Sequence, residues 1–145
     1  MKRMFMLMAL ALMLVAAMAL SGVAQAASPK AKCKQEAASL VLSLDGYNFI
    51  YGNNKTNDFT SKDTVGGPDV FCGLGGIDSI ETLEAGDIFI GGAGDDYVHT
   101  NYGTFNGGAG DDDVYGNEVT FNGGDGNDSV NGINFGTTDS VENGV

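Results

Sequence analysis

The sequence predicts an all-β chain wound into a flattened solenoid, its short strands stacked coil upon coil and joined by glycine-rich turns. Three features predict it. A unit of glycines and an aspartate recurs in register at a fixed step. Each copy carries one large apolar residue, too little to bury by itself, so stability has to come from stacked neighbours. The 145 residues include 23 glycines, 2 prolines and no tryptophan, which excludes the leucine- and lysine-rich make-up of a helical bundle. That length allows one modest domain.

At the N-terminus, Met1-Lys2-Arg3 is a positive start, Met4 to Leu20 is an unbroken run of 17 apolar residues, and Ala24-Gln25-Ala26 supplies the small residues that signal peptidase accepts. Residues 1–26 are therefore expected to be a signal peptide cleaved after Ala26. An uncleaved anchor helix is the competing reading, because the run falls just short of a bilayer span. Export would place the chain outside the cytoplasmic membrane, where oxidation is allowed. Cys33 and Cys72 are the only cysteines. They can form a single bridge if the fold buries them close together, with two free thiols as the alternative. Such a bridge would close a loop of roughly 40 residues and contribute on the order of 3 to 4 kcal/mol.

Residues 27–47 precede the repeats and are expected to act as an N-terminal cap. A β-solenoid over 48–145 follows, its early coils marked by a loose acidic-x-apolar echo at Asn48-Phe49-Ile50, Asp58-Phe59-Thr60 and Asp69-Val70-Phe71. The strongest repeats span 73–130. Gly91-Gly92-Ala93-Gly94-Asp95-Asp96-Tyr97-Val98, Gly107-Gly108-Ala109-Gly110-Asp111-Asp112-Asp113-Val114 and Gly123-Gly124-Asp125-Gly126-Asn127-Asp128-Ser129-Val130 are one unit written three times at a step of 16. Gly73-Leu74-Gly75-Gly76-Ile77-Asp78-Ser79-Ile80 fits the same frame with Leu at the second glycine, and Asp69, Asp78, Asp87 and Asp96 are spaced nine apart.

These units read G-G-x-G-x-D-x-U-x, with U a large apolar residue, and in this the chain resembles the RTX, or haemolysin-type calcium-binding repeat, family. The resemblance implies a right-handed parallel β-roll in which two units make a coil. The residues support this reading independently. Glycines let the backbone enter left-handed conformations and turn its carbonyls toward one point. In the strand that follows, alternation leaves only the middle residue facing inward. Ile80, Phe89, Val98, Val114 and Val130 should stack into one narrow core, joined by Phe105 and Phe121. Counting units places Asp58, Asp78, Asp96, Asp112 and Asp128 on one side, and Asn48, Asp69, Asp87 and Asp139 on the other. After Asp96 the second side loses its glycines and aspartate, so it should be mostly metal-free, with Asn106 and Asn122 forming an amide ladder.

On the intact side, stacking brings the aspartates into a column at about 4.8 Å per coil. Unit charges so spaced repel by roughly 3 to 4 kcal/mol per neighbouring pair at an effective dielectric near 20. A hard divalent cation between turns reverses that sign. Ca2+ suits oxygen donors in flexible geometry, whereas Mg2+ demands a tight octahedron. Transition metals find no sulfur or imidazole set, since one histidine, His99, completes no zinc site. By the family pattern, three ions are implied. The first lies between Gly73, Gly75, Asp78 and Gly92, Gly94, Asp96; the second between Gly91, Ala93, Asp96 and Gly108, Gly110, Asp112; the third between Gly107, Ala109, Asp112 and Gly124, Gly126, Asp128. A further site between Asp69 and Asp87 lacks the glycines. Asp95, Asp111 and Asp113 are expected to face solvent.

Without residues 1–26 the chain holds 19 acidic and 5 basic side chains, a net charge of −14, and from Asp63 to Val145 there are 16 acidic residues and no Lys or Arg. Nucleic acid and anionic membrane surfaces are thereby excluded as partners. No serine nucleophile elbow, HExxH helix or phosphate loop appears. The carboxylates are accounted for by the repeat rather than by an acid and base in distinct surroundings, which argues against a glycosidase. The expected function is that of a secreted, non-catalytic calcium-binding protein whose folding is gated by the ion. A surface-adhesion or polysaccharide-binding module, using Tyr97, Tyr102, Tyr115 or the Thr104 and Thr120 row, is the alternative. A calcium-dependent, hydrolase-associated fragment ranks third, and oligomeric state is left open.

Overall fold

Eleven strands among the described residues alternate between two sheets, and every pairing is parallel. The computed structural model describes residues 27–60, 66–132 and 136–138. The expected signal peptide and Asp139 lie outside that range. One helix, α1 (Pro29–Leu40), is followed by β1 (Asn48–Tyr51), β2 (Asn57–Asp58), β3 (Asp69–Cys72), β4 (Asp78–Leu83), β5 (Ile88–Ala93), β6 (Tyr97–Asn101), β7 (Thr104–Ala109), β8 (Asp113–Asn117), β9 (Thr120–Asp125), β10 (Ser129–Val130) and β11 (Thr137–Thr138). Odd-numbered strands form a six-stranded sheet in the order β1-β3-β5-β7-β9-β11, and even-numbered ones a five-stranded sheet, β10-β8-β6-β4-β2. Successive strands thus cross from one sheet to the other. The chain is an all-β parallel β-roll, as the repeats predict.

Between the sheets lies a core two side chains wide. Register pairs Ile50, Phe71, Phe89, Phe105 and Phe121 along one sheet, and Ile80, Val98, Val114 and Val130 along the other. Phe59 and Leu83 complete the cluster, in which Ile50 and Val130 are half-buried. Phe89, Phe105 and Phe121 stack with ring centroids 5.1 and 5.0 Å apart. A fully buried Phe or Val is worth about 1.5–3 kcal/mol, and here that gain exists only because the coil above and below supplies the other wall.

The coils shorten along the chain. Backbone amides in one coil meet carboxylates in the next at steps of 21, 18, 16 and 16 residues. The last shortening is confined to one corner. Residues 84–87 connect β4 to β5, whereas only Tyr102 and Gly103 connect β6 to β7. The space is filled by Asn101 and Asn117, both fully buried. Asn101 Nδ2 donates to Asn117 Oδ1 at 2.8 Å, and Gly103 N–H donates to Asn101 Oδ1 at 3.0 Å. On the outer face of the six-stranded sheet, Asn122 Nδ2 donates to Asn106 Oδ1 at 2.9 Å, the expected amide ladder.

The glycine-rich stretches are not wholly turns. Their first three residues end strands β5, β7 and β9, so the turn proper shrinks to Gly94–Asp96 and its equivalents. Parallel pairing continues through the glycines, where Gly92, Gly108 and Gly124 hold φ of 110°, 115° and 106° and a Cβ on each would strike a carbonyl of the neighbouring coil. Leu74, in the frame of the second glycine, is the one non-glycine residue with positive φ among those described, at 76°. That conformation costs an L-residue roughly 1–2 kcal/mol, and it persists because the side chain packs beside α1. Leu74→Ala is expected to cost about 1–2 kcal/mol, by losing that packing and keeping the strain, while Leu74→Gly changes stability by less than ~1 kcal/mol because it loses both. Urea melts of the two variants distinguish them, and an alanine variant as stable as the glycine one would remove the strain argument.

Residues 27–47 do not close the end of the roll; their helix lies across its side. Ser28 caps α1 by accepting from Ala31 N–H at 3.3 Å, with Pro29 at the first helical position. Cys33 and Ala37 pack on the outer face of the six-stranded sheet against Val70, Cys72, Ile88 and Ile90, the neighbours in sequence of the inward Phe71 and Phe89. Cys33 and Cys72 form a disulfide, with Cα atoms 6.0 Å apart. The bridge fits an oxidising compartment. Among the described residues no helix is long and apolar enough to cross a membrane.

Candidate metal centre

One edge of the roll carries a column of buried carboxylates, with one aspartate from each of four coils at or just before the start of its strand in the five-stranded sheet. Asp78, Asp96, Asp112 and Asp128 are 0–2% exposed. Each accepts, through Oδ1, the backbone N–H of the residue one coil earlier: Asn57 to Asp78 at 2.7 Å, Asp78 to Asp96 at 2.8 Å, Asp96 to Asp112 at 2.7 Å, and Asp112 to Asp128 at 2.9 Å. The column therefore opens on Asn57, not on Asp58 as the unit count had it. Asp58 pairs with Ser79 and faces solvent. The echo in the first coil is one residue out of frame, because the inward residue is Phe59 and the corner residue must stand two places before it. Asn57 Oδ1 turns back onto Asn53 N–H at 2.7 Å, so the column begins on an uncharged side chain.

The other carboxylate oxygen of each column aspartate points into the coil. Oδ2 of Asp96, Asp112 and Asp128 is buried and has no hydrogen-bond partner. Each lies over the first glycine of its own unit, Gly91, Gly107 and Gly123, where a Cβ would collide with it. Above Gly91 the carbonyl oxygen of Gly107, one coil on, reaches the same spot, and above Gly107 that of Gly123 does. Over Gly73 the pair is Asp78 Oδ2 and the Gly91 carbonyl. A carboxylate oxygen and a carbonyl oxygen from adjacent coils thus converge over Gly73, Gly91 and Gly107, the first glycines of their units.

This arrangement raises Asp96, Asp112 and Asp128 above the ordinary carboxylate range. Burial pushes Asp96 up to about 8; the N–H of Asp78 pulls it back only in part, and Asp112, Asp78 and Asp95 raise it further. Burial likewise raises Asp112 to about 7 against the N–H of Asp96, with Asp128, Asp95 and Asp111 adding to the rise. Asp128 is raised for the same first reason. A carboxyl in such a place is either protonated or balanced by a cation.

No family model, no curated protein and no solved structure matches the chain. What the site can hold follows from its own donors. Among the described residues no three Asp, Glu, His or Cys side chains converge on one point, so a cation here would take many of its ligands from backbone carbonyls. Hard oxygen donors of this kind suit Ca2+.

Of the residues implied as ligands, the structure brings Asp78, Asp96, Asp112 and Asp128 into the column and stacks Gly73, Gly91 and Gly107 beside them. Gly92, Gly108 and Gly124 lie one step along the strand, in register with each other, and Gly94, Gly110 and Gly126 stack at the turn. Gly75 lies under Ala93. The Ala93 and Ala109 carbonyls already accept N–H groups from Gly76 and Gly94, at 2.8 and 2.7 Å.

Two further ladders flank the column. Asp111 N–H donates to Asp95 Oδ1, and Asn127 N–H to Asp111 Oδ1, both at 2.9 Å, along the exposed rim. At the opposite corner Asp69 N–H donates to Asp87 Oδ1 and Asn48 Nδ2 to Asp69 Oδ1, again both at 2.9 Å. Sequence reasoning placed Asp95 and Asp111 at the surface but missed Asn57, Asn101 and Asn117. The last two recur at the 16-residue step, a signal available in the sequence.

Proposed function

We propose that the chain is an exported, non-catalytic calcium-binding β-roll of the RTX type, folded around ions held between successive glycine-rich turns. The buried, unpartnered Oδ2 atoms of Asp96, Asp112 and Asp128, one per coil, the first two facing a carbonyl from the next, carry this reading. Calcium would supply the positive charge that the column lacks. Asp78, Asp96, Asp112 and Asp128 would contribute carboxylate oxygens, and the glycine-rich stretches of residues 73–76, 91–94, 107–110 and 123–126 would contribute carbonyls. The glycines keep that space open, and the Oδ1 hydrogen bonds fix each carboxylate so that its second oxygen faces inward. Secretion is supported by the N-terminal segment and by the disulfide, and it would deliver the chain to the millimolar calcium at which weak extracellular sites fill. Binding of the ion and ordering of the coils would then be one event.

Equilibrium dialysis at millimolar calcium tests the reading. About three ions per chain are expected, with a gain of far-UV β signal on their addition at pH 8. Asp112→Asn, which lies between two of the sites, is expected to lose about two of them. A chain that takes up no calcium, or whose β signal in EDTA at pH 8 equals that in calcium, would end it.

A second reading, a binding module for surfaces or glycans, is favoured by the outer face of the five-stranded sheet. There Tyr97 Oη and His99 Nδ1 are 3.1 Å apart, and the His99 ring stacks on Tyr115 at 5.2 Å between centroids. Tyr115 is half exposed. Retention on a panel of immobilised neutral polysaccharides, lost in Tyr115→Ala, would support it alongside calcium binding.

A further inference from the structure

We propose that α1 is a strap latched onto the roll by the Cys33–Cys72 disulfide, and that a dithiol reductant releases it to uncover an apolar strip on the outer face of the six-stranded sheet. Little else holds the helix. Of its twelve residues only Cys33 and Ala37 are buried. It also packs with Leu74, and Lys30 lies over the Tyr51 ring at 4.8 Å and Lys34 over Phe49 at 5.7 Å, two cation–ring contacts that are weak at an exposed surface. A helix of this length does not persist alone in water, and its apolar face, one alanine wide beside the cysteine, is too narrow to dock it.

What it covers differs from the rest of that face. Beneath α1, Val70, Cys72, Ile88 and Ile90 are 0–2% exposed although they point away from the core. In the next two strands the corresponding outward positions are Thr104, Asn106, Thr120 and Asn122, uncovered and polar. The apolar strip thus ends with the helix. Leu74, held in its left-handed conformation, extends the strip toward the start of α1.

The latch is buried, Cys33 being 3% and Cys72 0% exposed, so reduction needs an approach to it. A cavity of about 260 Å³ opens beside Cys33, between Lys32 and Glu36 of the helix and Ile90, Gly92 and Ala93 of β5. A thiolate of the dithiol attacks Cys33 Sγ there, and Cys72 leaves as a thiolate and takes up a proton. The second thiol then attacks the mixed disulfide, and Cys33 leaves as a thiolate and takes up a proton. Two electrons and two protons pass from the dithiol, which ends as its own disulfide, to the two cysteines.

Trypsin reads the result, because Lys30, Lys32 and Lys34 lie in α1 while no Lys or Arg follows residue 62. The full chain in saturating calcium is treated with dithiothreitol until thiol titration gives two free thiols, and is then digested. Cleavage after Lys32 and Lys34 is expected to accelerate at least ~30-fold, and anilinonaphthalene sulfonate fluorescence to rise. The far-UV β signal and the rate of cleavage after Lys55, in the first coil, stay unchanged. Cys33→Ser should behave like the reduced chain without any reductant. Three outcomes would each overturn the proposal: a bridge that dithiothreitol does not open, helix lysines that stay protected once two thiols are titrated, or loss of the β signal together with the helix.

Discussion

In EDTA the chain is expected to be folded near pH 5 and to lose its β structure as the pH rises through 7 to 8, the reverse of the usual acid denaturation. The sign follows from the column. Asp96 and Asp112 are raised in the folded chain to about 8 and about 7, from 3.8. Between those values the folded state binds more protons than the unfolded one, so the stability these groups contribute is fully present below about pH 4 and is lost as pH passes the folded values. Shifts of this size in two groups, even halved for solvent screening, amount to several kcal/mol. In a domain of this size that lowers the melting temperature by well over ~10 °C between pH 5 and pH 8. Calcium is expected to abolish most of the dependence, because it balances at pH 8 the charge that protons remove at pH 5. Thermal melts followed by circular dichroism, with and without the ion across pH 4.5 to 9, check this. Stability in EDTA that instead climbs with pH would mean that the column carboxylates are charged and well solvated.

Gly107→Ala should cost about 3–5 kcal/mol and eliminate calcium-dependent folding. Its Cβ would land on Asp112 Oδ2 and press against the Gly123 carbonyl of the next coil. The carboxylate cannot swing aside, because its Oδ1 is tied to the Asp96 N–H at 2.7 Å and the surrounding corner is buried. Moving it would leave a buried donor unmet, and moving the coil would break the register of the phenylalanine stack. Gly116→Ala offers the contrast. Gly116 has an ordinary φ and nothing nearer to its Cβ position than His99 O at 3.6 Å, so that change should shift stability by less than ~1 kcal/mol. Urea denaturation of both variants in calcium measures the difference, and equal effects would remove the claim that the first glycine of the unit exists to seat the aspartate.

That claim also shows where the sequence is legible and where it is not. A fixed step of 16 places identical residues one above another, so the column from Asp96 to Asp128, the rows through Phe105, Phe121, Val98 and Val114, and the Asn106 to Asn122 ladder could all be read from spacing alone. In the first coil the step is 21 residues, and spacing no longer fixes the frame. Asp58 looked like the column residue on its charge, yet Asn57 takes the position because Phe59 has to reach the core. Asn101 and Asn117 were legible in principle, since they too recur at 16. Their role depends on a corner two residues shorter than the one before, which is a fact of backbone path rather than of composition.

By itself, then, the sequence determined the solenoid, its inner rows and a line of acids along one edge, because each of these is a consequence of periodicity and periodicity survives any uncertainty about turns. Tertiary structure alone decided that the first glycines of each unit belong to strands, that α1 covers the side of the roll and not its end, and that Leu74 accepts a left-handed backbone. It alone decided, too, that each column carboxylate has Oδ1 bonded to the coil before, with Oδ2 of Asp78, Asp96 and Asp112 set against a carbonyl of the coil after. Those features depend on which groups meet across coils many residues apart, where close packing and the need to satisfy buried polar atoms set the outcome.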